Sequence, residues 1–302
     1  MNLSLGPLLY YWSRDDVLAF YAEAANWPLA RVYLGETVCS RRHLLRLSDW
    51  LDLARQLVDA GKEVVLSTQT LIESESDLKM LRRIVGNDQF LVEANEWGAV
   101  RLLAGAGLPF IAGHTLNIYN PETLDVLVGL GAQRWLPPVE VARTALAALL
   151  EHTPADIETE VFVYGRLPLA YSARCFTARH YNLPKDDCQF RCLDHPDGLP
   201  LATREGRPFL TLNGVQTQSA GVYNLIGELP ALRELNVSSL RLSPQSRQMG
   251  RVVAAFRAAL ASDDRCTEML APALPGPAVD GYWHGLAGQE RVVPRSDGQT
   301  RA

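Results

Sequence analysis

Short apolar segments alternate with helical patterns along almost the whole chain, and this alternation limits the possible folds more than any other feature. Each segment is a run of apolar or β-branched residues about as long as a buried parallel strand. Eight strands alternating with helices predict an α/β protein, and their number favours a closed (β/α)8 barrel of the TIM type over a doubly wound open sheet. The predicted strands are Leu3–Tyr11, Arg31–Leu34, Glu63–Leu66, Phe90–Glu93, Pro109–Ala112, Gln133–Leu136, Thr159–Tyr164 and Ser239–Leu242.

Start and stop signals delimit the helices between these strands. Ser74 can cap a helix that Gly86 ends, and Asn120 can cap another in which Pro121 takes the first helical position. Ser243-Pro244 opens the last predicted helix by the same logic. The predicted helices are Asp15–Ala25, Asp49–Ala60, Glu75–Val85, Glu96–Gly105, Glu122–Leu130, Val139–Glu151 and one from Ser243 to about Ala261.

The alternation is interrupted once, between the seventh and eighth predicted strands. Residues 166–218 are too long for one connection, and we interpret them as an insertion on the face where the strands end. The insertion holds three cysteines and a hairpin-like segment, Pro208–Gln218, with Asn213-Gly214 at its turn. We therefore expect one barrel domain over residues 1–271. A tail rich in proline and glycine, residues 272–302, should lie on the surface and end in disorder.

Composition narrows the class of protein. The chain has 302 residues, 47% of them hydrophobic, which suits one large globular domain without a disulfide framework. Its formal net charge is −5, so a nucleic-acid partner is not expected. No basic residue precedes Arg14, which leaves no positive segment for a secretory signal. The uncharged run Leu102–Pro121 contains glycines and prolines, and we interpret it as a helix end, a strand and a loop instead of a membrane span. These features predict a cytoplasmic protein with reduced thiols.

Four of the five cysteines have a spacing that suggests a metal site. Cys188 and Cys192 form a close pair, Cys175 precedes them by a twelve-residue spacer, and Cys39 follows the second predicted strand. Because barrel strands end on one face, these cysteines can meet above the barrel. Four thiolates suit an iron–sulfur cluster or a structural zinc, although the spacing matches neither a standard ferredoxin nor a zinc ribbon. The alternative is a set of small buried side chains, which is our interpretation of Cys266.

Several stretches of the chain resemble a known family. They are Tyr33-Leu-Gly-Glu-Thr-Val-Cys39-Ser-Arg-Arg, Gly165-Arg-Leu-Pro-Leu-Ala-Tyr-Ser-Ala-Arg-Cys175 and Gly281-Tyr-Trp-His284, together with Glu93-Ala-Asn95 and Leu116-Asn-Ile-Tyr-Asn120. With these, the chain resembles the collagenase-like U-32 peptidase family, and most closely its ubiquinone-biosynthesis branch. The resemblance extends over nearly the whole chain.

The resemblance implies a function that composition could not suggest. Proteins of this branch bind a [4Fe–4S] cluster through four cysteines, which correspond here to Cys39, Cys175, Cys188 and Cys192. They pair with a homologous UbiU-like subunit that carries its own cluster, and a UbiT-like lipid-binding accessory protein takes part. The pair supports oxygen-independent hydroxylation of ubiquinone precursors, with prephenate as the oxygen donor. The expected function is therefore a subunit of an oxygen-independent ring hydroxylase, in which either this chain or its partner carries the catalytic groups.

Polar residues near the predicted strand ends are the candidates for catalysis. On a barrel they should point into the face where substrates bind, although each could equally cap a loop or bond to the backbone. Arg166 and Arg174 flank the cysteine region and could bind a dicarboxylate such as prephenate, because guanidinium groups bind carboxylates in bidentate fashion. Alternatively, they offset the charge of a cluster or face solvent. The catalytic candidates are Glu36, Glu93, Asn95, His114 and Asn117.

The wider family leaves other functions open. A metal-dependent peptidase and an RNA-modification factor are alternatives, and a zinc-stabilised interaction module would use the same four cysteines. The sequence offers little for proteolysis, because it contains neither a His-Glu-x-x-His zinc motif nor a Gly-x-Ser-x-Gly motif.

Overall fold

The protein folds around a closed barrel of parallel strands. The computed structural model describes residues 1–261, 276–294 and 300–301, so Cys266 lies outside the described residues. Within these ranges each predicted strand is present, with its ends shifted by a few residues at most positions and the first strand shorter than predicted. The barrel strands, numbered in chain order, are β1 (Asn2–Leu5), β2 (Arg31–Leu34), β3 (Glu63–Ser67), β4 (Leu91–Ala94), β5 (Phe110–Ala112), β6 (Ala132–Trp135), β7 (Glu158–Gly165) and β13 (Ser239–Leu242).

The last barrel strand closes the sheet. Leu240 of β13 lies opposite Leu3 of β1 on one side and opposite Val161 of β7 on the other, and both pairings are parallel. Strands β1 to β7 pair with one another in chain order. The closed (β/α)8 barrel of the TIM type is therefore confirmed, and the doubly wound open sheet is excluded.

Helices separate most of the strands and pack their apolar faces against the sheet. The described helices are α1 (Arg14–Ala24), α2 (Leu47–Asp59), α3 (Glu75–Val85), α4 (Trp97–Gly105), α5 (Pro121–Gly129), α6 (Arg143–Leu150), α7 (Phe176–His180), α8 (Leu229–Glu234) and α9 (Met249–Leu260). Ser74 caps α3 by accepting a hydrogen bond from the backbone N–H of Asp77 (3.2 Å), and Asn120 caps α5 by accepting one from Thr123 (2.8 Å), both as predicted.

The last helix begins later than the sequence predicts, so the prediction that Ser243-Pro244 opens it was wrong. The N–H of Ser243 donates to the carbonyl of Tyr164 (2.8 Å), which continues the pairing with β7. Gln248 then takes a left-handed backbone conformation before α9 begins at Met249. Residues 243–248 therefore belong to the end of the barrel and not to the helix.

Residues 168–219 form a second, antiparallel sheet. Its strands are β8 (Pro168–Tyr171), β9 (Leu199–Ala202), β10 (Pro208–Asn213) and β11 (Gln216–Ser219), and they pair in the order β8-β11-β10-β9. The predicted hairpin is present, but its turn is Gly214-Val215, because Asn213 still pairs with Gln216. The Asn213 amide holds this strand end in place by donating to the carbonyl of Leu9 (2.8 Å) and to the side chain of Gln216 (2.9 Å).

Part of the predicted tail extends the barrel sheet. Strand β12 (Val222–Asn224) pairs antiparallel with β7, and β14 (Ala278–Val279) pairs parallel with β12. Trp283 is only 2% exposed and donates to Glu228 (2.8 Å), so this part packs into the protein instead of lying on its surface. Near the chain end, β15 (Val293–Pro294) pairs with β16 (Thr300–Arg301). The predicted disorder concerns residues 295–299 and 302, which lie outside the described residues.

Leu102–Pro121 is the end of α4, strand β5 and a short 3-10 turn at His114–Leu116, as predicted. Across residues 1–261, 276–294 and 300–301, the structure contains no helix whose length and apolar character would let it cross a membrane.

Ion pairs close the amino-terminal end of the barrel. Arg31 at the start of β2 and Arg134 in β6 each contact both Glu63 and Glu158, at distances between 2.7 and 3.1 Å. The opposite end, where the strands finish, is the end at which TIM barrels carry their active sites.

Candidate functional site

Four cysteines gather at the carboxyl end of the barrel. Cys175 and Cys188 are each 9% exposed and belong to one small apolar cluster, against which Cys39 packs. In the described part of the chain, these three and Cys192 are free thiols. Cys175 caps α7, and its sulfur accepts a hydrogen bond from the backbone N–H of Ala178 (3.4 Å). The insertion and the loop after β2 therefore bring distant cysteines to one place.

A tight turn joins Cys188 to Cys192. Gln189 and Phe190 both adopt left-handed backbone conformations, with φ of 50° and 52°. Cys192 reaches the tip of the β10–β11 hairpin, because its sulfur lies 3.9 Å from the place where a side chain on Gly214 would begin. The absence of a side chain at Gly214 leaves this space to the thiol.

A buried arginine lies among these thiols. The guanidinium of Arg42 donates to the carbonyl of Leu9 (2.8 Å) and to the side chain of Asn213 (2.7 Å), and lies 3.5 Å from Glu36. The thiols of Cys39 and Cys192 both face this guanidinium. A positive charge fixed here can offset the negative charge of thiolate ligands.

Glu36 organises the loop that carries Cys39. One of its carboxylate oxygens accepts hydrogen bonds from the backbone N–H groups of Val38 (2.9 Å) and Cys39 (3.0 Å). Burial raises the pKa of Glu36, while Arg42 and these N–H groups oppose that rise. The structure thus gives this predicted catalytic candidate a positioning role in the cysteine loop.

Burial favours the protonated form of two of the thiols, those of Cys39 and Cys175. Burial raises the pKa of the Cys39 thiol to about 11 and also raises the pKa of Cys175. Metal ligation would release these protons, since thiolates are the species that bind metals.

The possible metal ligands at this site are cysteine sulfurs. Among the residues that the structure describes, no three His, Cys, Asp or Glu side chains approach closely enough to hold one metal ion. Cys39, Cys175 and Cys188 share one apolar cluster, and Cys192 lies beside the buried Arg42. Free thiols of this kind are the ligands that both iron–sulfur clusters and structural zinc sites use.

A small cavity of about 20 Å³ lies in the mouth of the barrel. Residues at or just beyond the ends of the barrel strands line it, Glu93 and Arg241 among them, and the insertion contributes Tyr171 to its roof. Tyr171 also packs against the apolar cluster of cysteines. The barrel mouth and the cysteine site are therefore neighbours.

Charged side chains meet at this cavity. Arg241 donates to Glu93 and to Glu160 (2.7 Å), and its guanidinium lies 3.8 Å from the centre of the Tyr33 ring. Asn95 is tied to the carbonyl of Thr68 (2.9 Å). Both carboxylates are fully buried, so the arginine is what makes their burial possible.

His114 lines the same cavity, and both its ring nitrogens are buried. Neither nitrogen has a hydrogen-bond partner within the described ranges. Burial, and secondarily the charge of Arg241, lowers the pKa of His114 to about 3. The imidazole is therefore neutral near pH 7.

A groove of about 640 Å³ opens between α2 and α3, beside the cysteine loop. Its walls combine apolar side chains with polar and charged ones, Glu36 and Arg42 among them. Ion pairs of Arg41 with Asp186 and of Lys185 with Glu73 lie at its rim. A space of this size accommodates a small organic molecule. The apolar side chains are Leu34, Leu45, Leu47, Trp50, Leu66, Met80 and Ile84.

Comparison with known proteins identifies the family. The model of peptidase family U32 matches residues 15–271. The chain belongs to peptidase family U32.

Solved structures of other barrel proteins are similar to this U32 chain at low sequence identity. The U32 peptidase Mk0906 is 14% identical, covers 81% of this chain and 93% of its own, and gives a TM-score of 0.44. The dihydrodipicolinate synthase DapA-2 from Bacillus anthracis is 8% identical, with coverages of 89% and 79% and a TM-score of 0.49. A dihydropteroate synthase from Thermus thermophilus is 11% identical, with coverages of 85% and 94% and a TM-score of 0.42.

The remaining predicted site residues of the U32 chain lie apart from these two centres. Asn117 is exposed and takes a left-handed conformation (φ 59°) at the end of a 3-10 turn. Arg166 donates to the backbone carbonyls of Ser219 and Ala220, and Arg174 is exposed. Neither arginine lines the barrel mouth.

Sequence reasoning missed several residues of the site. Arg42 stood inside a stretch that carried the family resemblance, but nothing marked it as buried. Arg241 gave a clearer signal, because a lone charge in the buried strand Ser239–Leu242 needs a buried partner. Thr37 and Tyr171 also stood inside such stretches, but their place in the barrel mouth depends on the packing of loops distant in sequence.

Proposed function

We propose that this chain is the iron–sulfur subunit of an oxygen-independent hydroxylase that acts on ubiquinone precursors, the role that UbiV holds in the U32 family. Cys39, Cys175, Cys188 and Cys192 would bind a [4Fe–4S] cluster. The observation that carries the proposal is the grouping of free thiols at Cys39, Cys175 and Cys188 in one apolar cluster, with Cys192 beside the adjacent buried Arg42.

The chemistry that such a cluster supplies when bound is the transfer of single electrons. The chain itself would supply the binding and the surroundings. Arg42 would offset the negative charge of the thiolates, and Glu36 would hold the Cys39 loop through backbone hydrogen bonds. Tyr171 would separate the cysteines from the barrel mouth.

A substrate has two neighbouring spaces in which to bind. The groove between α2 and α3 has the volume for a small organic molecule, and the seven apolar side chains in its walls would contact an aromatic ring. The barrel mouth offers polar groups. We propose prephenate as the oxygen donor. Arg166 and Arg174 are the candidates to bind its carboxylates, although neither arginine lines the groove or the barrel mouth.

We propose a UbiU-like homologous subunit and a UbiT-like lipid-binding protein as partners, in the cytoplasm. Several large apolar side chains are exposed on the insertion, and we propose that a protein partner covers them. These side chains are Leu169, Phe190, Leu193, Leu201 and Phe209.

The decisive experiment is the iron, sulfide and zinc content of protein purified without oxygen, together with its visible absorption spectrum. About four irons and four sulfides per chain are expected. Alanine at any of the four cysteines should abolish iron binding, whereas Cys266→Ala should leave it unchanged. Full iron content in Cys39→Ala would contradict the ligand assignment, and zinc without sulfide would favour an interaction module.

The family's name makes a metal-dependent peptidase the second candidate. That function requires hydrolysis of peptides by the isolated chain, without a partner. Hydrolysis that persists in the cysteine variants would favour the peptidase over the hydroxylase subunit. An RNA-modification factor would instead bind RNA with a steep dependence on salt concentration.

A further inference from the structure

We propose that the barrel mouth is a binding site for an uncharged oxygen group, a hydroxyl or a carbonyl, at the end of a small organic molecule. The side chains that would hold it are Thr37, His114 and Arg241, which line one cavity. This site goes beyond the iron–sulfur proposal, because none of its residues is a cysteine and its occupant need not be the ring that is hydroxylated.

Unsatisfied polar atoms are the observation that points to a ligand. Nη2 of Arg241, both ring nitrogens of His114 and the hydroxyl of Thr37 are buried, and the described residues give none of them a hydrogen-bond partner. A buried polar group without a partner is costly, and native proteins rarely leave one so. Three such side chains on one cavity indicate that a further molecule completes their hydrogen bonds.

The chemistry of these atoms selects an oxygen acceptor. Nη2 of Arg241 can only donate, and the neutral imidazole of His114 donates through one nitrogen and accepts through the other. The hydroxyl of Thr37 can do either. A carbonyl oxygen accepts from all of them, and a hydroxyl group can also donate to His114.

The charges around the cavity select an uncharged group. Arg241 already contacts two buried carboxylates, those of Glu93 and Glu160. A third carboxylate would compete for the same guanidinium, and Arg134, which lies 3.9 Å from Glu160, is engaged with Glu63 and Glu158. A buried anion without its own countercharge is strongly disfavoured, so a neutral oxygen is the better occupant.

The size of the cavity limits what enters it. About 20 Å³ is enough for one group of the size of a water molecule. The oxygen-bearing end of a ligand would therefore occupy the mouth.

Acetamide and acetate provide a matched pair of probes, because they have nearly the same shape and differ in charge. The full chain, labelled with ¹⁵N in its histidine rings, would be titrated with each while the His114 resonances are followed by NMR. Acetamide is expected to shift these resonances with saturation, and acetate to bind at least tenfold more weakly. Thr37→Val, which removes only the hydroxyl, should weaken acetamide binding roughly three- to tenfold. Thr123→Val on α5 is the matched control and should have no effect.

Several results would overturn the inference. Acetate binding as tightly as acetamide would make the mouth an anion site, and the absence of saturable shifts with either probe would leave it to water alone. Unchanged acetamide affinity in Thr37→Val, or an equal loss in Thr123→Val, would place the binding elsewhere. Iron content measured on the same samples separates the two proposals, because acetamide binding in protein that cannot take up iron would retain this site and reject the cluster.

Discussion

At the scale of single residues, the barrel interior depends on charge as much as on apolar packing. Arg241 is buried and lies between two buried carboxylates over the ring of Tyr33. Such a group is stable only while its partners remain, because removing one member leaves the others charged and unsolvated. Arg241 and Glu93 also line the barrel mouth, so a change in this network would affect both stability and the cavity.

Replacing Arg241 by methionine should therefore strongly destabilise the folded protein. We expect the free energy of unfolding in urea to fall by about 3–5 kcal/mol, since Glu93 and Glu160 lose their common partner. The matched control is Arg143→Met, which breaks a pair with Glu234 (3.1 Å) whose side chains are 45% and 71% exposed. That change should cost less than about 1 kcal/mol. Similar losses for the two variants would contradict the assignment of Arg241 to a buried network.

His114 should make stability depend on pH. Burial lowers its pKa to about 3 in the folded protein, whereas an unfolded histidine titrates near its ordinary value of about 6.5. The unfolded chain therefore binds the proton first, and this contribution to stability is present above pH 6.5 and is lost as the pH falls toward 3.

Titration of His114 alone can change the free energy of unfolding by at most about 1.4 kcal/mol per pH unit. Urea unfolding between pH 7 and pH 5 should show that His114→Asn loses less stability on acidification than the unmodified protein. His152→Asn, at an exposed position, should behave like the unmodified protein. Parallel curves for all three proteins would show that His114 is charged or solvated in the fold.

At the scale of elements, the β10–β11 hairpin determines the geometry of the cysteine site. Its tip places Gly214 against Cys192 and Arg42, and its last strand residue before the turn, Asn213, bonds to Arg42. A second glycine, Gly206, lies between β9 and β10 and also has a positive φ, but open space surrounds it. Both glycines have a backbone conformation that would strain a residue with a side chain, but their surroundings differ.

Alanine at each glycine should separate these effects. Gly214 has φ of 65° and Gly206 has φ of 78°, so both Gly214→Ala and Gly206→Ala should destabilise the chain by roughly 1 kcal/mol. Only at position 214 would the new methyl group begin 3.2 Å from the Arg42 guanidinium. We therefore expect Gly214→Ala alone to reduce iron content after anaerobic purification. Equal iron content in both variants would argue against a role of the hairpin tip in the site.

The elements also show how far sequence reasoning extends. Strands such as Arg31–Leu34 and Ser239–Leu242 were predictable because buried parallel strands read as continuous apolar runs. The start of α9 was not, because Ser243 continues the strand pairing through a hydrogen bond to Tyr164, a partner distant in sequence. The turn of the hairpin moved by one residue for a similar reason, since tertiary hydrogen bonds of Asn213 outweigh its local preference for turns.

The residues of the candidate site also divide into those that the sequence could indicate and those that it could not. Cysteines, Glu93 and His114 could be proposed from residue type and from their place after strands. The unsatisfied atoms of Thr37 and Arg241 could not, because they meet across more than 200 residues of sequence and become significant only through burial.

At the scale of the whole molecule, the cysteine-bearing insertion is connected to the barrel at one place, so it could be removed without interrupting the barrel sheet. Gly165, where β7 ends, pairs with Tyr223 of β12, so the chain leaves the barrel and returns to it at adjacent positions. The barrel strands close through β13 without any strand of the insertion. The insertion supplies Cys175, Cys188 and Cys192, whereas the barrel loops supply Cys39 and Arg42.

Replacing residues 167–221 by a short glycine-rich linker should therefore leave a folded barrel that binds no iron. We expect circular dichroism typical of a (β/α) barrel and one cooperative unfolding transition, at lower stability because Leu9 and Val38 lose their apolar cover. The control is the full-length Cys39→Ala variant, which should also lack iron while keeping the insertion and the stability it provides. Iron retained in the shortened chain would place the cluster outside the insertion. A shortened chain that fails to unfold cooperatively would show that the insertion is part of the barrel's core, since β12 and β14 would then depend on it for their pairing.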